Sequence, residues 1–177
     1  MLTLDASAST LLVIDFQVKL MPAIDDAAAT VANARRLVEA AKLLDVPSLY
    51  TEQNPRGLGP TVSDLAPDPA RLVHKMAFGA CLEPEFLPRL ANNHAIVVTG
   101  WEAHVCVLQT ALGLIEKGRR VFVVRDAVGS RKPESKEAAL RRLARHGADI
   151  VTTEMVVFEW LKTAQHPKFR EIAALIK

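Results

Sequence analysis

The stretch AIVVTGWEAHVCVLQTALGLIEKG, residues 95–118, joins two patterns that together indicate the fold. Residues 95–98 form a continuous apolar run, which is typical of a strand buried on both faces of a parallel sheet. Gly100 ends this run, and apolar residues then recur at helical spacing as far as Gly118: Val105, Leu108, Leu112 and Ile115. We therefore predict a buried strand that leads directly into a helix.

Cys106 lies in the first turn of this predicted helix, just beyond the C-terminal end of the strand. Free backbone N–H groups at a helix N-terminus favour a thiolate, so the position predicts a lowered thiol pKa. Open α/β sheets also bind their ligands at this edge. The position alone is equally compatible with a small buried hydrophobic side chain, so the rest of the chain has to decide between the two.

Strand and helix patterns alternate along the whole chain. The predicted strands cover residues 11–16, 48–51, 71–74, 95–98, 119–125 and 149–152, and the predicted helices cover residues 27–44, 84–90, 105–118, 134–146, 155–161 and 168–176. Residues 54–60 are rich in turn formers and predict a loop. The alternation predicts the α/β class: a doubly wound, three-layer, Rossmann-like sheet of six mostly parallel strands with helices on both faces. We expect one domain over residues 1–177.

The composition limits the classes of function. The chain has 177 residues, of which 50% are hydrophobic and 24% charged, with a formal net charge of +2. Its two cysteines form no disulfide framework, its N-terminus lacks the pattern of a signal peptide, and no apolar run is long enough to span a bilayer. The basic cluster at residues 141–145 favours a solvated helix face over a nucleic-acid patch. We expect a cytoplasmic protein with a small-molecule substrate and neither a nucleic-acid nor a membrane partner.

Three chemically active side chains lie at or just beyond the C-terminal ends of three predicted strands: Asp15, Lys75 and Cys106. The C-terminal ends of parallel strands share one edge of the sheet, so these side chains are expected to meet. An ammonium there favours both the thiolate and the carboxylate, and the carboxylate can take the thiol proton and return it to a leaving group. Backbone N–H groups of residues 102–106 are placed to receive an oxyanion. The combination indicates nucleophilic attack on an acyl carbon.

The motifs that carry these residues resemble those of the isochorismatase-like cysteine hydrolases, a superfamily that includes nicotinamidases and N-carbamoylsarcosine amidases. The matching stretches are LLVIDFQ at residues 11–17, HKMAFGA at 74–80, VVTGWEAHVCVLQTALGL at 97–114 and RRVFVVRDAVGS at 119–130. Residues 43–65 and 166–177 further resemble the isochorismatase domain-containing proteins, a group whose substrates are poorly assigned. The resemblance covers nearly the whole chain.

The resemblance implies a catalytic triad of Asp15, Lys75 and Cys106. It also implies a cis peptide bond between Trp101 and Glu102, and an oxyanion hole formed by the N–H groups of Glu102 and Cys106. Relatives commonly form dimers or tetramers, so a homo-oligomer is expected. The last two predicted helices carry three large apolar residues: Phe158, Trp160 and Leu161. These helices either form the interface of the oligomer or cover the edge of the sheet.

Two departures from the relatives bear on the reaction. Nicotinamidases carry an Asp-x-His metal motif after the second strand, whereas residues 51–55 read TEQNP, so we predict no metal. Independently of the relatives, no glycine-rich phosphate motif follows the first strand, so we predict no cofactor. Isochorismatases that act on a vinyl ether often lack the nucleophilic cysteine, and the presence of Cys106 therefore favours an amide or related acyl substrate.

Further polar and aromatic residues lie near the predicted strand ends. We predict that they bind substrate, against the alternative that they cap loops or fill the core: Phe16, Gln17, Glu52, Gln53, Phe78 and Trp101. His104 invites a Cys–His dyad, but in the relatives this position varies and the base is the aspartate, so a peripheral role is favoured.

The sequence thus predicts a cofactor-independent hydrolase that cleaves a small amide or acyl compound through a Cys106 thioester. Asp15 serves as general base and acid, and Lys75 stabilises charge. One alternative is a binding or scaffold module without turnover, although such a module has no physical reason to keep a buried Asp and Lys beside a thiol. The other is a vinyl-ether hydrolase of the isochorismatase type, in which Asp15 acts as the acid and Cys106 is incidental.

Overall fold

The computed structural model describes residues 2–176, and six parallel strands of this range form one sheet. The strands are β1 (Ser9–Ile14), β2 (Ser48–Gln53), β3 (Leu72–Lys75), β4 (Ala95–Trp101), β5 (Val121–Gly129) and β6 (Asp149–Val151). Their order across the sheet is β3-β2-β1-β4-β5-β6, and every paired neighbour is parallel. This confirms the predicted α/β class and makes the sheet wholly parallel.

Helices connect the strands and cover both faces of the sheet. The α-helices are α1 (Ala27–Leu43), α2 (Pro55–Leu58), α3 (Leu108–Glu116), α4 (Pro133–Arg145), α5 (Thr153–Leu161) and α6 (Phe169–Leu175). One π-helical turn, Ala103–Val107, precedes α3. Short 3₁₀ turns lie at Ala6–Ala8, Met21–Ala23, Ser63–Leu65, Pro69–Arg71, Ala80–Leu82 and Leu87–Arg89. None of the helices in residues 2–176 has the length and apolar character needed to cross a membrane.

The alternation of side chains along β1 explains the two cores. Leu11 and Val13 pack into a cluster with residues of α1, α5 and α6, whereas Leu12 and Ile14 pack into a second cluster with residues of α3 and α4. Successive side chains of a strand point to opposite faces, so a strand covered on both faces has to be apolar throughout. The strand order reverses between β1 and β4, which is where sheets of this type open a crevice for a ligand.

Several predicted boundaries differ from the structure. Residues 54–60 contain the single turn α2 rather than only loop. Residues 84–90 form a short 3₁₀ turn at Leu87–Arg89 instead of a helix, because two prolines in this segment lack the N–H donor that a longer helix needs. Trp160 and Leu161 are each 2% exposed and belong to the core, so only Phe158, at 41%, is available to an interface. Trp160 and Leu161 therefore follow the alternative prediction, that the C-terminal helices cover the sheet and do not form an interface.

Gly100 continues β4 instead of ending it. Its φ of +151° is in a region that side chains disfavour, and a Cβ at this position would lie 2.4 Å from the carbonyl oxygen of Ile14. Glycine is therefore what allows β4 to approach β1 closely, and the strand extends to Trp101. The close approach brings the residues after both strands to one point.

The substitution Gly100→Ala is expected to lower the free energy of unfolding by about 2–5 kcal/mol, through backbone strain and the clash with Ile14. Gly118→Ala is the matched control, because Gly118 also has a positive φ, +72°, but nothing lies within 4 Å of its added Cβ. The control is expected to cost about 1 kcal/mol. Urea unfolding followed by circular dichroism measures both, and equal losses would contradict the close-approach argument.

Candidate active site

The ends of three strands place three polar side chains at the crevice. Asp15 directly follows β1 and has a left-handed backbone conformation, with φ of 51°. Lys75 is the last residue of β3 rather than the residue after it. Cys106 lies in the π-helical turn that follows β4. Asp15, Lys75 and Cys106 are all buried, and Cys106 keeps 7% of its surface exposed.

Asp15 and Lys75 form a fully buried ion pair. Lys75 Nζ donates to Asp15 Oδ2 at 2.7 Å and to the carbonyl oxygens of Phe78 and Ala77 at 3.0 and 3.2 Å. All three ammonium donors are therefore used. Thr51 Oγ1 donates to Asp15 Oδ1 at 2.7 Å, so each carboxylate oxygen has a partner. A buried pair with this many hydrogen bonds has one defined geometry, and loss of either partner would leave an uncompensated charge.

The Cys106 thiol lies close enough to Asp15 and Lys75 for both side chains to influence its pKa. The pKa of the thiol is raised to about 12: burial is the largest cause, the Asp15 carboxylate also raises the pKa, and the Lys75 ammonium lowers it. The lowered pKa expected from the helix N-terminus is thus reversed. The physical reason is that burial is the largest effect on the thiol, while the charges of Asp15 and Lys75 have opposite signs and act against each other.

The raised pKa determines what the three side chains can do. A thiol that stays protonated at neutral pH needs a base beside it in order to attack, and the Asp15 carboxylate is in that position. The arrangement can therefore transfer a proton from sulfur to carboxylate while the sulfur attacks an electrophilic carbon.

The turn that carries Cys106 begins at Glu102. The peptide bond between Trp101 and Glu102 is cis, at the position that the resemblance implied. The Glu102 carbonyl, which belongs to the next peptide unit, accepts the N–H groups of Val105 and Val107 at 3.0 and 3.2 Å and ties Glu102 to the turn. His104 contacts Ser130 Oγ through Nδ1 at 3.0 Å.

The aromatic residues predicted to line a pocket are placed differently from one another. Phe16 and Trp101 have no exposed surface, and their rings pack against each other with centroids 4.7 Å apart. The Trp101 indole N–H donates to Thr30 Oγ1 at 2.9 Å. These two rings therefore form the core beneath the site rather than a wall that a ligand could touch. Phe78 is 52% exposed and its carbonyl holds Lys75, so it borders the site.

The polar residues predicted to bind substrate instead brace the neighbouring loops. The Gln17 amide exchanges hydrogen bonds with the backbone of Gln53 and donates to the Gly59 carbonyl at 2.7 Å. Glu52 Oε1 accepts the backbone N–H and the hydroxyl of Thr61 at 2.7 and 2.8 Å. The Gln53 side chain donates to the Met76 carbonyl at 3.1 Å. Burial and local hydrogen bonds thus assign Gln17 and Glu52 to support of the site.

Three contributors were missed from the sequence: Thr51, Ser130 and Arg131. Thr51 was detectable in principle, since it is a polar residue near the end of a buried strand next to Asp15. Arg131 pairs with Glu102 across 29 positions, and no local pattern signals such a contact. Within residues 2–176, no group of three or more His, Cys, Asp or Glu side chains is arranged to hold a metal ion.

Comparison with known proteins identifies the family of the chain. Residues 9–155 match the family model of the isochorismatase domain. The chain belongs to the isochorismatase family. It is 37% identical over 175 residues to isochorismatase domain-containing protein 2 of Danio rerio, covering 98% of this chain and 89% of that protein. It is 38% identical to protein 2A of Mus musculus, covering 96% and 83%.

Solved structures of this family share the fold. A Caenorhabditis elegans protein named MAR1 ribonuclease superposes with a TM-score of 0.90 at 35% identity, covering 98% of this chain and 92% of that one. The YcaC gene product of Escherichia coli, described as an octameric hydrolase of unknown specificity, superposes with a TM-score of 0.90 at 25% identity, covering 99% and 90%. The chain therefore has both the family membership and the fold of an isochorismatase-like hydrolase.

Proposed function

We propose that this isochorismatase-family chain is a cofactor-independent cysteine hydrolase that cleaves a small amide or related acyl compound through a Cys106 thioester. The observation that carries the proposal is the buried Asp15–Lys75 ion pair, whose two charges both act on the Cys106 thiol. A buried ion pair is costly to form and gives a binding scaffold no evident benefit at this position. A proton acceptor beside a nucleophile is, in contrast, what acyl transfer requires.

The proposed reaction begins with attack of Cys106 Sγ on the acyl carbon, while the thiol proton moves to the Asp15 carboxylate. The carbonyl oxygen becomes an oxyanion and is received by the N–H groups of Glu102 and Cys106. Collapse breaks the C–N bond, and the departing amine takes the proton from Asp15. Water then attacks the thioester, Asp15 accepts its proton and returns it to sulfur, and the acid leaves.

Lys75 balances the charge through this cycle. In the resting site its ammonium is paired with the Asp15 carboxylate at 2.7 Å. When Asp15 takes the proton, the same positive charge faces the new oxyanion instead, so the total charge of the buried site does not change. The 7% exposure of Cys106 supports a small substrate, since a bulky one would have to displace the neighbouring loops.

The direct test is to trap the thioester. The protein is mixed with a panel of small amides, ureides and aryl esters, quenched in acid and analysed by intact-mass and peptide mass spectrometry. We expect an acyl adduct on Cys106 and none on Cys81, a partly buried cysteine whose thiol pKa is raised to about 11, chiefly by burial. Cys81 contacts the Thr110 carbonyl instead of a carboxylate, so it serves as an internal control. Adducts on neither cysteine, or on both equally, would contradict the proposal.

We propose a small-molecule substrate, no nucleic-acid partner and a homo-oligomer, either a dimer or a tetramer. The net charge of only +2 supports the first two. The ribonuclease name of the C. elegans protein makes hydrolysis of RNA the competing outcome.

The octameric E. coli protein supports self-association of this chain. So do three exposed apolar side chains in the segment that follows Lys75: Met76, Phe78 and Leu82.

A further inference from the structure

Two consecutive residues after β5, Ser130 and Arg131, hold the turn that carries Cys106. Arg131 donates to both carboxylate oxygens of Glu102, from Nε to Oε1 at 2.7 Å and from Nη2 to Oε2 at 3.2 Å. Ser130 Oγ contacts His104 Nδ1 at 3.0 Å. The segment that follows β5 therefore restrains the turn at two positions, Glu102 and His104.

The Glu102–Arg131 pair is unlike an ordinary surface ion pair. The Glu102 side chain is only 9% exposed, whereas the Arg131 side chain is 62% exposed. The arginine thus reaches from solvent to neutralise a carboxylate that has almost no access to water. Bidentate pairing of this kind fixes direction as well as charge.

The position of Glu102 gives this pair a chemical consequence. In the proposed reaction the Glu102 N–H receives the oxyanion, so an unpaired carboxylate on the same residue would repel the charge that develops there. Arg131 cancels this repulsion and adds a second restraint on Glu102, a residue whose own carbonyl already accepts the N–H groups of Val105 and Val107. Both effects act on the oxyanion and not on the sulfur.

We propose that Arg131 is a positioning residue for acyl transfer at Cys106: it neutralises the Glu102 carboxylate and restrains the residue whose N–H binds the oxyanion. The inference rests on the proposed function and extends it to a residue outside the three side chains of the site. Arg131 acts through Glu102 and needs no contact with the substrate.

Two reactions of the same thiol separate this role from a merely structural one. Acylation of Cys106 by p-nitrophenyl acetate passes through an oxyanion and releases p-nitrophenol, whose ionised form is measured by absorbance. Alkylation by iodoacetamide displaces iodide at a saturated carbon, forms no oxyanion, and is followed by mass spectrometry. Arg131→Ala is expected to slow acylation about 10- to 100-fold and to leave alkylation within about twofold of the parent protein.

Three further variants sharpen the test. Arg131→Lys restores the charge and is expected to recover part of the acylation rate. Adding Glu102→Gln to Arg131→Ala removes the unpaired charge and is expected to raise acylation above that of Arg131→Ala alone. Arg125→Ala is the matched control, because Arg125 lies on β5 and pairs with Glu137 at 3.3 Å, away from the turn, with a side chain 53% exposed. This control is expected to change neither reaction.

The outcomes distinguish the two proposals. An equal loss of acylation and alkylation in Arg131→Ala, or no loss of either, would overturn the role of Arg131 while leaving the thioester mechanism intact. Absence of Cys106 acylation in the parent protein, or an unchanged release of p-nitrophenol in Cys106→Ala, would overturn the thioester mechanism and this inference with it. Circular dichroism of each variant verifies that the fold is retained.

Discussion

Replacement of Cys106 by alanine is expected to lower turnover of an amide or acyl substrate by at least roughly 10⁴-fold. The thiol supplies the bond-forming electron pair. The nearby Thr51 hydroxyl is a weaker nucleophile and already donates its hydrogen to the Asp15 carboxylate. The measurement is steady-state turnover of any substrate that acylates the parent protein.

Cys81→Ala is the control for this prediction. Cys81 is a second partly buried cysteine, and it packs against Gly113, where an added Cβ would lie 3.0 Å from its sulfur. Its replacement is expected to affect stability slightly and turnover by less than about twofold. Retained turnover in Cys106→Ala would contradict the thioester mechanism. Cleavage of a vinyl ether that survives Cys106→Ala and is lost in Asp15→Asn would instead support the mechanism in which Asp15 acts as the acid.

The substitution Asp15→Asn is expected to have opposite effects on two reactions of Cys106. Turnover should fall about 10²- to 10⁴-fold, because the general base is lost. Alkylation of the thiol by iodoacetamide at pH 7–9 should accelerate. The negative charge of Asp15 raises the pKa of the thiol, so its removal lowers that pKa and increases the thiolate fraction, roughly tenfold for each unit of decrease.

The asparagine side chain can preserve the local hydrogen bonds. Its amide oxygen still accepts from Lys75 Nζ, and its amide N–H₂ can donate to the Thr51 hydroxyl, which accepts as well as donates. Asp5→Asn is the matched control, because Asp5 also pairs with a lysine, Lys162 at 2.8 Å, but near the surface. Slower alkylation in Asp15→Asn would show that the carboxylate promotes the resting thiolate, contrary to the structure. Turnover within tenfold of the parent would remove the general-base role.

The elements of the fold were predictable because their signals are local. The continuous apolar runs of β1 and β4 and the helical spacing that follows β4 are visible in short windows of sequence. Parallel strands in a doubly wound sheet bring their C-terminal ends to one edge, so the meeting of Asp15, Lys75 and Cys106 followed from the order of elements. The boundary errors lie where a proline or glycine has a role that depends on its neighbours, as at Gly100.

The chemistry of the site depended on contacts that no local pattern reports. Whether the Cys106 thiol is ionised is decided by its burial and by the opposed charges of Asp15 and Lys75, which come from two other strands. Phe16 and Trp101 were predicted as pocket walls, and their packing against each other buries both completely.

The sequence by itself determined the fold class, the family and the three side chains that meet at the edge of the sheet. The tertiary structure alone decided the direction of the thiol pKa, the supporting roles of Gln17 and Glu52, and the pairing of Glu102 with Arg131. The division has one physical reason: strand and helix formation reflects the spacing of apolar residues within a segment, whereas burial, charge balance and long-range hydrogen bonds arise only after the segments have packed.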